Sequence, residues 1–389
     1  SAGNSTITGP ITIMIDRTAP TEPIITPDQL LSNDQIRYTI TDGVDDRVGV
    51  DHTEFRVLDK ASGAVISDWM TYTTEQTITA EGVYTIEART LDKLGNVSNV
   101  AAVEFTIDKT PPAEIIVPDG NISPAGGQDQ DQVEVTVPDA ADPADSVSYA
   151  VVVSGSGAPA ADDTWLALAG DRKISVTEEG TWDIYIKVID PAGNSMITGP
   201  ITIMIDRTAP TEPTIMPDQL LSNDQISYTI TDGVDDRVGV DHTEFRVLDK
   251  ASGAVISDWM TYTTEQTITA EGVYTIEART LDKLGNVSNV AAVEFTIDKT
   301  PPAEIIVPDG NISPAGGQDQ DKVEITVPDA ADPADSVSYA VVTSGSGAPG
   351  SDAWRDLPSD KKITVTEEGT WDIYIKVIDP AGNSTITGP

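Results

Sequence analysis

Residues 81–96 read EGVYTIEARTLDKLGN, and residues 179–194 read EGTWDIYIKVIDPAGN. Apolar and polar side chains alternate in both. Tyr84, Ile86 and Ala88 share one face of the first stretch, and Trp182, Ile184 and Ile186 share the equivalent face of the second. A period of two marks a strand with one face on a core. Each stretch then runs into Asp-x-x-Gly-Asn, whose residues tolerate left-handed backbone, so the strand ends in a hairpin turn. The offset between the two (179 − 81 = 98) also aligns Asp108 with Asp206, Thr110 with Thr208 and Pro112 with Pro210. An aspartate therefore stands at one place before every Thr-x-Pro break.

A longer repeat encloses this one. ITGPITIMIDRTAPTEP at 7–23 returns at 197–213, and residues 17–109 differ from 207–299 at three positions: Ile24/Thr214, Thr26/Met216 and Arg37/Ser227. Residues 110–200 return at 300–389, with divergence concentrated around 160–172. The order is A-B-A-B, and near-identity between copies indicates recent duplication. The boundaries are 17–109, 110–206, 207–299 and 300–389. Residues 1–16 read as the last strand of a preceding domain, and the fourth domain lacks its own final strand.

Each unit is all-β. In the first, QIRYTI (35–40), TEFRVL (53–58), QTITA (76–80), VYTIEARTL (83–91) and VAAVEFTI (100–107) alternate between clusters of turn residues. About seven short strands in about 95 residues is the arithmetic of an immunoglobulin-like β-sandwich, so the fold class is a tandem array of such sandwiches. Tyr84 and Tyr274, two residues after a glycine, occupy the tyrosine-corner position, where units B carry Trp182 and Trp371. Trp69, Trp165, Trp259 and Trp354 read as core. The Thr-x-Pro linkers are short and stiff, which favours domains set end to end with little freedom.

The chain of 389 residues carries 64 acidic and 23 basic residues, a formal net charge of −41, and no cysteine. Nucleic acid and anionic lipid require a basic face, so neither is an expected partner. No apolar run is long enough to span a membrane. Disulfides, zinc–thiolate sites and thiol nucleophiles are excluded. Such self-repulsion calls for screening by salt or bound divalent cations.

Sandwich topology places the aspartates. The chain enters a sandwich at the pole that carries its B–C and F–G loops. The linker aspartate of each domain should therefore meet that domain's own loop carboxylates. The expected sets are Asp16, Asp42, Asp45 and Asp92 in domain 1, and Asp108, Asp139, Asp142 and Asp190 in domain 2. Domains 3 and 4 give Asp206, Asp232, Asp235 and Asp282, then Asp298, Asp329, Asp332 and Asp379. Asp46, Asp145, Asp335 and the asparagines Asn96, Asn194, Asn286 and Asn383 fall at the same poles. Bare carboxylates crowded together repel. Ca2+ takes six to eight oxygen ligands with irregular geometry and is the expected ion, with Mg2+ second. Glu81, Glu178, Glu179 and Glu271 in the E–F loops could add a ligand from the preceding domain. No EF-hand loop is present.

Gly-x-[Tyr/Trp], Asp-x-x-Gly-Asn and Ile-Asp-[Lys/Arg]-Thr-x-Pro together resemble the tandem bacterial immunoglobulin-like (BIg) domains of giant surface adhesins and cell-wall proteins, over essentially the whole chain. The resemblance implies an extracellular stalk on a bacterial surface or in a secreted filament. It also implies junctions stiffened by calcium, with Asp16, Asp108, Asp206 and Asp298 as linker ligands and Asp92, Asp190, Asp282 and Asp379 as F–G ligands. The partners would be neighbouring Ig-like domains of the same or an adjacent chain, with host or surface glycan or protein engaged through other regions.

Two alternatives stand beside the spacer. One is an adhesive Ig-like module that binds glycan or protein, for which the variable stretches 154–172 and 344–362 are the first candidates. The other is a filament subunit joined by strand donation between molecules. An enzyme is not expected: His52 and His242 are one position in two copies, units B have no histidine, and neither a phosphate loop nor a dinucleotide fingerprint is present.

Overall fold

The computed structural model describes residues 3–160, 164–319 and 321–389, so residues 161–163 of the variable stretch lie outside the described residues. The chain divides into two compact units, Ser1–Ile205 and Asp206–Pro389, each holding one A and one B sandwich.

The first sandwich comprises β1 (Ile24–Pro27), β2 (Leu31–Ser32), β3 (Ile36–Thr41), β4 (Val50–Asp59), β5 (Val65–Thr71), β6 (Gln76–Ile78), β7 (Gly82–Asp92) and β8 (Ala101–Ile107). One sheet runs β1-β3-β6 and the other β2-β8-β7-β4-β5. All pairings are antiparallel except β2 with β8, where Leu31 lies beside Thr106. The alternation read from the sequence sets the core. Ile36, Tyr38 and Ile40 of β3 face Phe55, Val57, Tyr84, Ile86, Ala88, Phe105 and Ile107 of the other sheet. Tyr38 meets Phe55 edge-on at 6.2 Å between ring centroids.

The second sandwich contains β9 (Ile122–Ser123), β10 (Gln128–Asp129), β11 (Val133–Thr136), β12 (Ser146–Val153), β13 (Leu166–Ala167), β14 (Lys173–Val176), β15 (Gly180–Ile189) and β16 (Ser195–Ile205). Its sheets are β14-β11-β9 and β10-β16-β15-β12-β13. The third repeats the first: β17 (Thr214–Pro217), β18 (Leu221–Ser222), β19 (Ile226–Thr231), β20 (Val240–Asp249), β21 (Val255–Thr261), β22 (Gln266–Ile268), β23 (Gly272–Asp282) and β24 (Ala291–Ile297). The fourth has β25 (Ile312–Ser313), β26 (Val323–Thr326), β27 (Ser336–Thr343), β28 (Arg355–Asp356), β29 (Lys362–Val365), β30 (Trp371–Ile378) and β31 (Ser384–Thr387).

The corner position works in both types. The Tyr84 hydroxyl donates to the Ala80 carbonyl at 3.0 Å, and the Trp182 indole N–H donates to Glu178 O at 2.9 Å. Tryptophan thus replaces the phenol without losing the bond. The remaining tryptophans are not core. Trp69 lies half-buried on the outer face, with the Arg56 and Arg89 guanidiniums 4.9 and 4.1 Å from its ring, and Trp259 repeats this with Arg246 and Arg279. Trp165 and Trp354 take Lys187 and Lys376 in the same way. Alternation along β5 and β21 points Trp69 and Trp259 outward, and cation–π contact lets them stay there. No helix among the described residues is long and apolar enough to cross a membrane.

Candidate metal centre

The type A head is made from three pieces. The linker brings Asp16, the loop between β3 and β4 brings Asp45, and the end of β7 brings Asp92. Each offers a carboxylate oxygen, and the three lie within 4.8 Å of one another. Asp206, Asp235 and Asp282 do the same in the third sandwich. Asp16 is 6% exposed and Asp206 is fully buried.

Local hydrogen bonds fix how each carboxylate points. Asp16 Oδ1 accepts the Thr18 N–H at 2.9 Å. Asp45 Oδ1 accepts three backbone N–H groups, from Arg47, Val48 and Gly49, at 3.1, 2.8 and 2.7 Å. Asp92 Oδ1 accepts Leu94 and Asn96 N–H, both at 2.8 Å. The Asn96 amide donates to Asp92 Oδ2 at 2.7 Å and to the Asp16 carbonyl at 3.3 Å, tying turn to linker. Burial disfavours the Asp92 charge, but the donors around the turn outweigh it and hold the carboxyl below its ordinary range. It is therefore anionic at neutral pH.

One oxygen in each head has no partner. Asp16 Oδ2 and Asp206 Oδ2 are buried and accept no hydrogen bond. A buried, unpartnered carboxylate oxygen costs several kcal/mol unless a cation meets it, to order of magnitude. Arg172, Lys299 and Lys361 pair with Asp139, Asp224 and Asp329. Several anionic oxygens converging on a point where one lacks a donor match the donor set of a hard divalent cation. Asp42 and Asp232 stay exposed on the rim, outside these triads.

The type B head shares the linker and the turn but not the loop. Asp108 Oδ1 accepts Thr110 N–H at 3.0 Å, and Asn194 donates to the Asp108 carbonyl at 2.7 Å and to Asp190 Oδ2 at 2.8 Å. Asp298, Asp379 and Asn383 repeat this in the fourth sandwich. Asp139 is drawn away by Arg172, 3.2 Å distant, and Asp329 is paired with Lys361. Asp142 and Asp332 are exposed and accept the N–H of Ala144 and Ala334. Asp145 has its carboxyl pushed up by partial burial and by the charges of Asp142 and Asp190, and Asp335 has the same causes in Asp332 and Asp379. Among the described residues no triad as tight as the type A one forms here. Glu81 and Glu271 accept the Thr110 and Thr300 hydroxyls at 2.8 and 2.6 Å, so these E–F glutamates touch the next linker.

The bacterial Ig-like domain family matches residues 18–109 and 213–271, within the two type A sandwiches. The two type A sandwiches are thus similar to bacterial Ig-like domains. No curated protein matches it. Among solved structures, the FN1–FN3 domains of chicken CNTN1 align over 72% of this chain and 99% of their own, at 12% identity and a TM-score of 0.24. The fibronectin(III)-like modules of Clostridium thermocellum CbhA align over 48% and 94%, at 15% identity and a TM-score of 0.25. Bacterial Ig-like domains are typically structural or adhesive modules of extracellular and surface proteins, and are generally non-enzymatic.

Proposed function

We propose that these tandem Ig-like sandwiches form a spacer segment of an extracellular adhesin or surface filament, and that calcium fixes the peptide on which each type A sandwich hangs. The supporting observation is the unpartnered oxygen of Asp16 and Asp206, buried inside a triad of carboxylates. Asp206 lies in the linker that opens the third sandwich, so an ion there pins that linker to the sandwich's own loops. Asp45 and Asp92, or Asp235 and Asp282, supply the remaining anionic oxygens, and waters or carbonyls complete the shell. Calcium suits the mixed set better than magnesium, which demands stricter geometry and keeps its waters. Near-identical copies add length without adding a distinct binding surface, which favours a spacer.

Calorimetric titration with Ca2+ and with Mg2+ tests the site. Two calcium ions per chain are expected, with weaker magnesium binding, and the double variant Asp16→Asn/Asp206→Asn should abolish both sites. Absence of calcium binding by the unaltered chain overturns the metal reading. The spacer part is read separately by solution scattering: the profile should differ between calcium and chelator, and identical profiles would refute stiffening by the ion.

A further inference from the structure

Beneath the type A head lies a buried polar pair that the type B head does not have. Thr53 of β4 stands directly opposite Thr90 of β7, and the two are 1% and 0% exposed. Their hydroxyls meet at 3.0 Å, and the Thr90 hydroxyl oxygen accepts the Gly43 N–H at 2.9 Å. Thr90 N–H donates in turn to the Ser98 hydroxyl at 2.9 Å. Thr243 and Thr280 repeat the pair in the third sandwich, where Thr280 accepts the Gly233 N–H at 2.9 Å. In the second sandwich the same two positions hold Val147 opposite Val188, and in the fourth Val337 opposite Val377. Those valines pack with the core.

Threonine and valine have the same shape, so packing alone does not call for the hydroxyls. Burying them is costly unless they are bonded. What they bond is the loop. Gly43 stands two residues before Asp45, and Thr90 stands two residues before Asp92 on the same buried face of β7. One hydroxyl therefore ties the loop that carries one carboxylate to the strand that carries another. From the linker side, Thr21 holds the same loop by accepting the Val44 N–H at 2.7 Å, and Asp16 lies on that linker.

We propose that Thr90 and Thr280 are the positioning residues that let a head hold a cation, with Thr53 and Thr243 orienting their hydroxyls. The inference rests on the calcium reading of the same triads and names what selects the heads that bind. The hydroxyl touches no ion and acts through the Gly43 N–H. Without it, that N–H turns to water while the head is empty, and binding has to draw the loop back against an unpaired donor. Valine at the same positions leaves the second and fourth sandwiches without this tie.

Thr90→Val in the whole chain tests the proposal, because the untouched third sandwich serves as an internal reference. In calorimetric titration the first site should weaken about tenfold or more, the loss expected from one buried donor left unpaired, while the third keeps its affinity. Thr90→Ser retains the hydroxyl and should retain both sites. Thr53→Val keeps the acceptor of the Gly43 N–H and should weaken the first site by a smaller factor. Ile86→Val trims the same core without touching the loop, so it should lower the melting temperature and leave both affinities unchanged. Unchanged affinity at both sites in Thr90→Val overturns the proposal, as does a loss in Thr90→Ser equal to that in Thr90→Val. Amide exchange in chelator reads the positioning without any metal: Thr90→Val should speed exchange at Gly43 and Val44, and Ile86→Val should not. Unaltered exchange at Gly43 in Thr90→Val refutes the positioning role even where calcium binds. An unaltered chain that takes up no calcium refutes the calcium reading and this proposal with it.

Discussion

The heads of the first and second sandwiches share two of three parts. Both have a linker aspartate followed by Thr-x-Pro, and both have an Asp-x-x-Gly-Asn turn whose asparagine bonds the linker carbonyl. They part at the loop between β3 and β4, whose counterpart lies between β11 and β12. In type A, Val44 N–H donates to Thr21 Oγ1 at 2.7 Å and Thr21 N–H to Val44 O at 2.9 Å, which presses that loop onto the linker. Asp45 is thereby delivered beside Asp16 and Asp92. In type B the loop aspartates are half-exposed or exposed, and Asp139 turns to Arg172. A motif common to all four junctions therefore sets up a tie between turn and linker. Only the third element turns that tie into a site with the composition of a metal centre.

The harshest way to break the comparison is to lift the type A loop off its linker. A Cβ on Gly43 would fall 1.8 Å from the Thr21 carbonyl oxygen, and Gly233 meets Thr211 identically. The contact is backbone against backbone, with no flexible side chain to yield. Gly43→Ala should destabilise the first sandwich by about 3 kcal/mol or more, at the upper end of overpacking. Urea unfolding would show a lowered midpoint with the same slope. A loss under about 0.5 kcal/mol, the range of ordinary surface substitutions, would mean that the loop is not pressed on the linker.

Next in size is the response to calcium. An ion at one hundred times its dissociation constant stabilises the state that binds it by about 2.7 kcal/mol. Hydrogen exchange reads the two heads in one sample. The turn at Leu94–Asn96 should gain protection with calcium, while the turn at Ala192–Asn194 should change little. Equal protection at both turns would erase the distinction between A and B heads.

Much of this was legible in the residues. The alternation at 83–91 fixed which side chains enter the core, and the repeat arithmetic with sandwich topology brought Asp16, Asp45 and Asp92 to one pole. The exposed positions of Asp42 and Asp139 were not legible. Which aspartate of Asp-Gly-Val-Asp-Asp points inward depends on which carboxylate captures the N–H groups of Arg47, Val48 and Gly49, and spacing does not show that. Arg172 lies far from Asp139 in sequence, so its competition for that carboxylate was hidden as well. Strands β1, β2 and β5 escaped because they are short or expose most of their side chains, leaving little apolar rhythm. The outward tryptophans were misread because aromatic bulk in a β-rich chain suggests core, while the arginines that cover Trp69 come from other strands.

A smaller effect sharpens what the two types share. Tyr84→Phe removes the donor to Ala80 O and should cost about 1 kcal/mol, the usual net worth of such a bond. Trp182→Phe removes the donor to Glu178 O and should cost at least as much, since ring volume is lost too. Thermal melts of the two variants would check this. If Trp182→Phe proved neutral while Tyr84→Phe did not, the indole would be packing without anchoring, and the corner would belong to type A alone.

The subtlest contrast is in acid, where the two heads should respond with opposite sign. Asp92 is held below the ordinary carboxyl range because donors from Asn96, Leu94 and Gly95 outweigh its burial. Its contribution to stability is complete above the unfolded-chain value and is lost as pH falls through its lowered folded value. Asp145 is held above that range by partial burial and by Asp142 and Asp190. The folded state then binds the proton more readily than the unfolded chain, so this group's contribution grows as pH falls through its raised value. Carboxyl NMR titration in chelator resolves the two without relying on global unfolding, which Asp183 also influences through its own lowered value. The Asp92 midpoint should fall on the acid side of a model peptide and those of Asp145 and Asp335 on the alkaline side. Calcium should then push Asp92 further down while leaving Asp145 nearly still, because an ion held by Asp16, Asp45 and Asp92 competes with the proton only at the head that binds it.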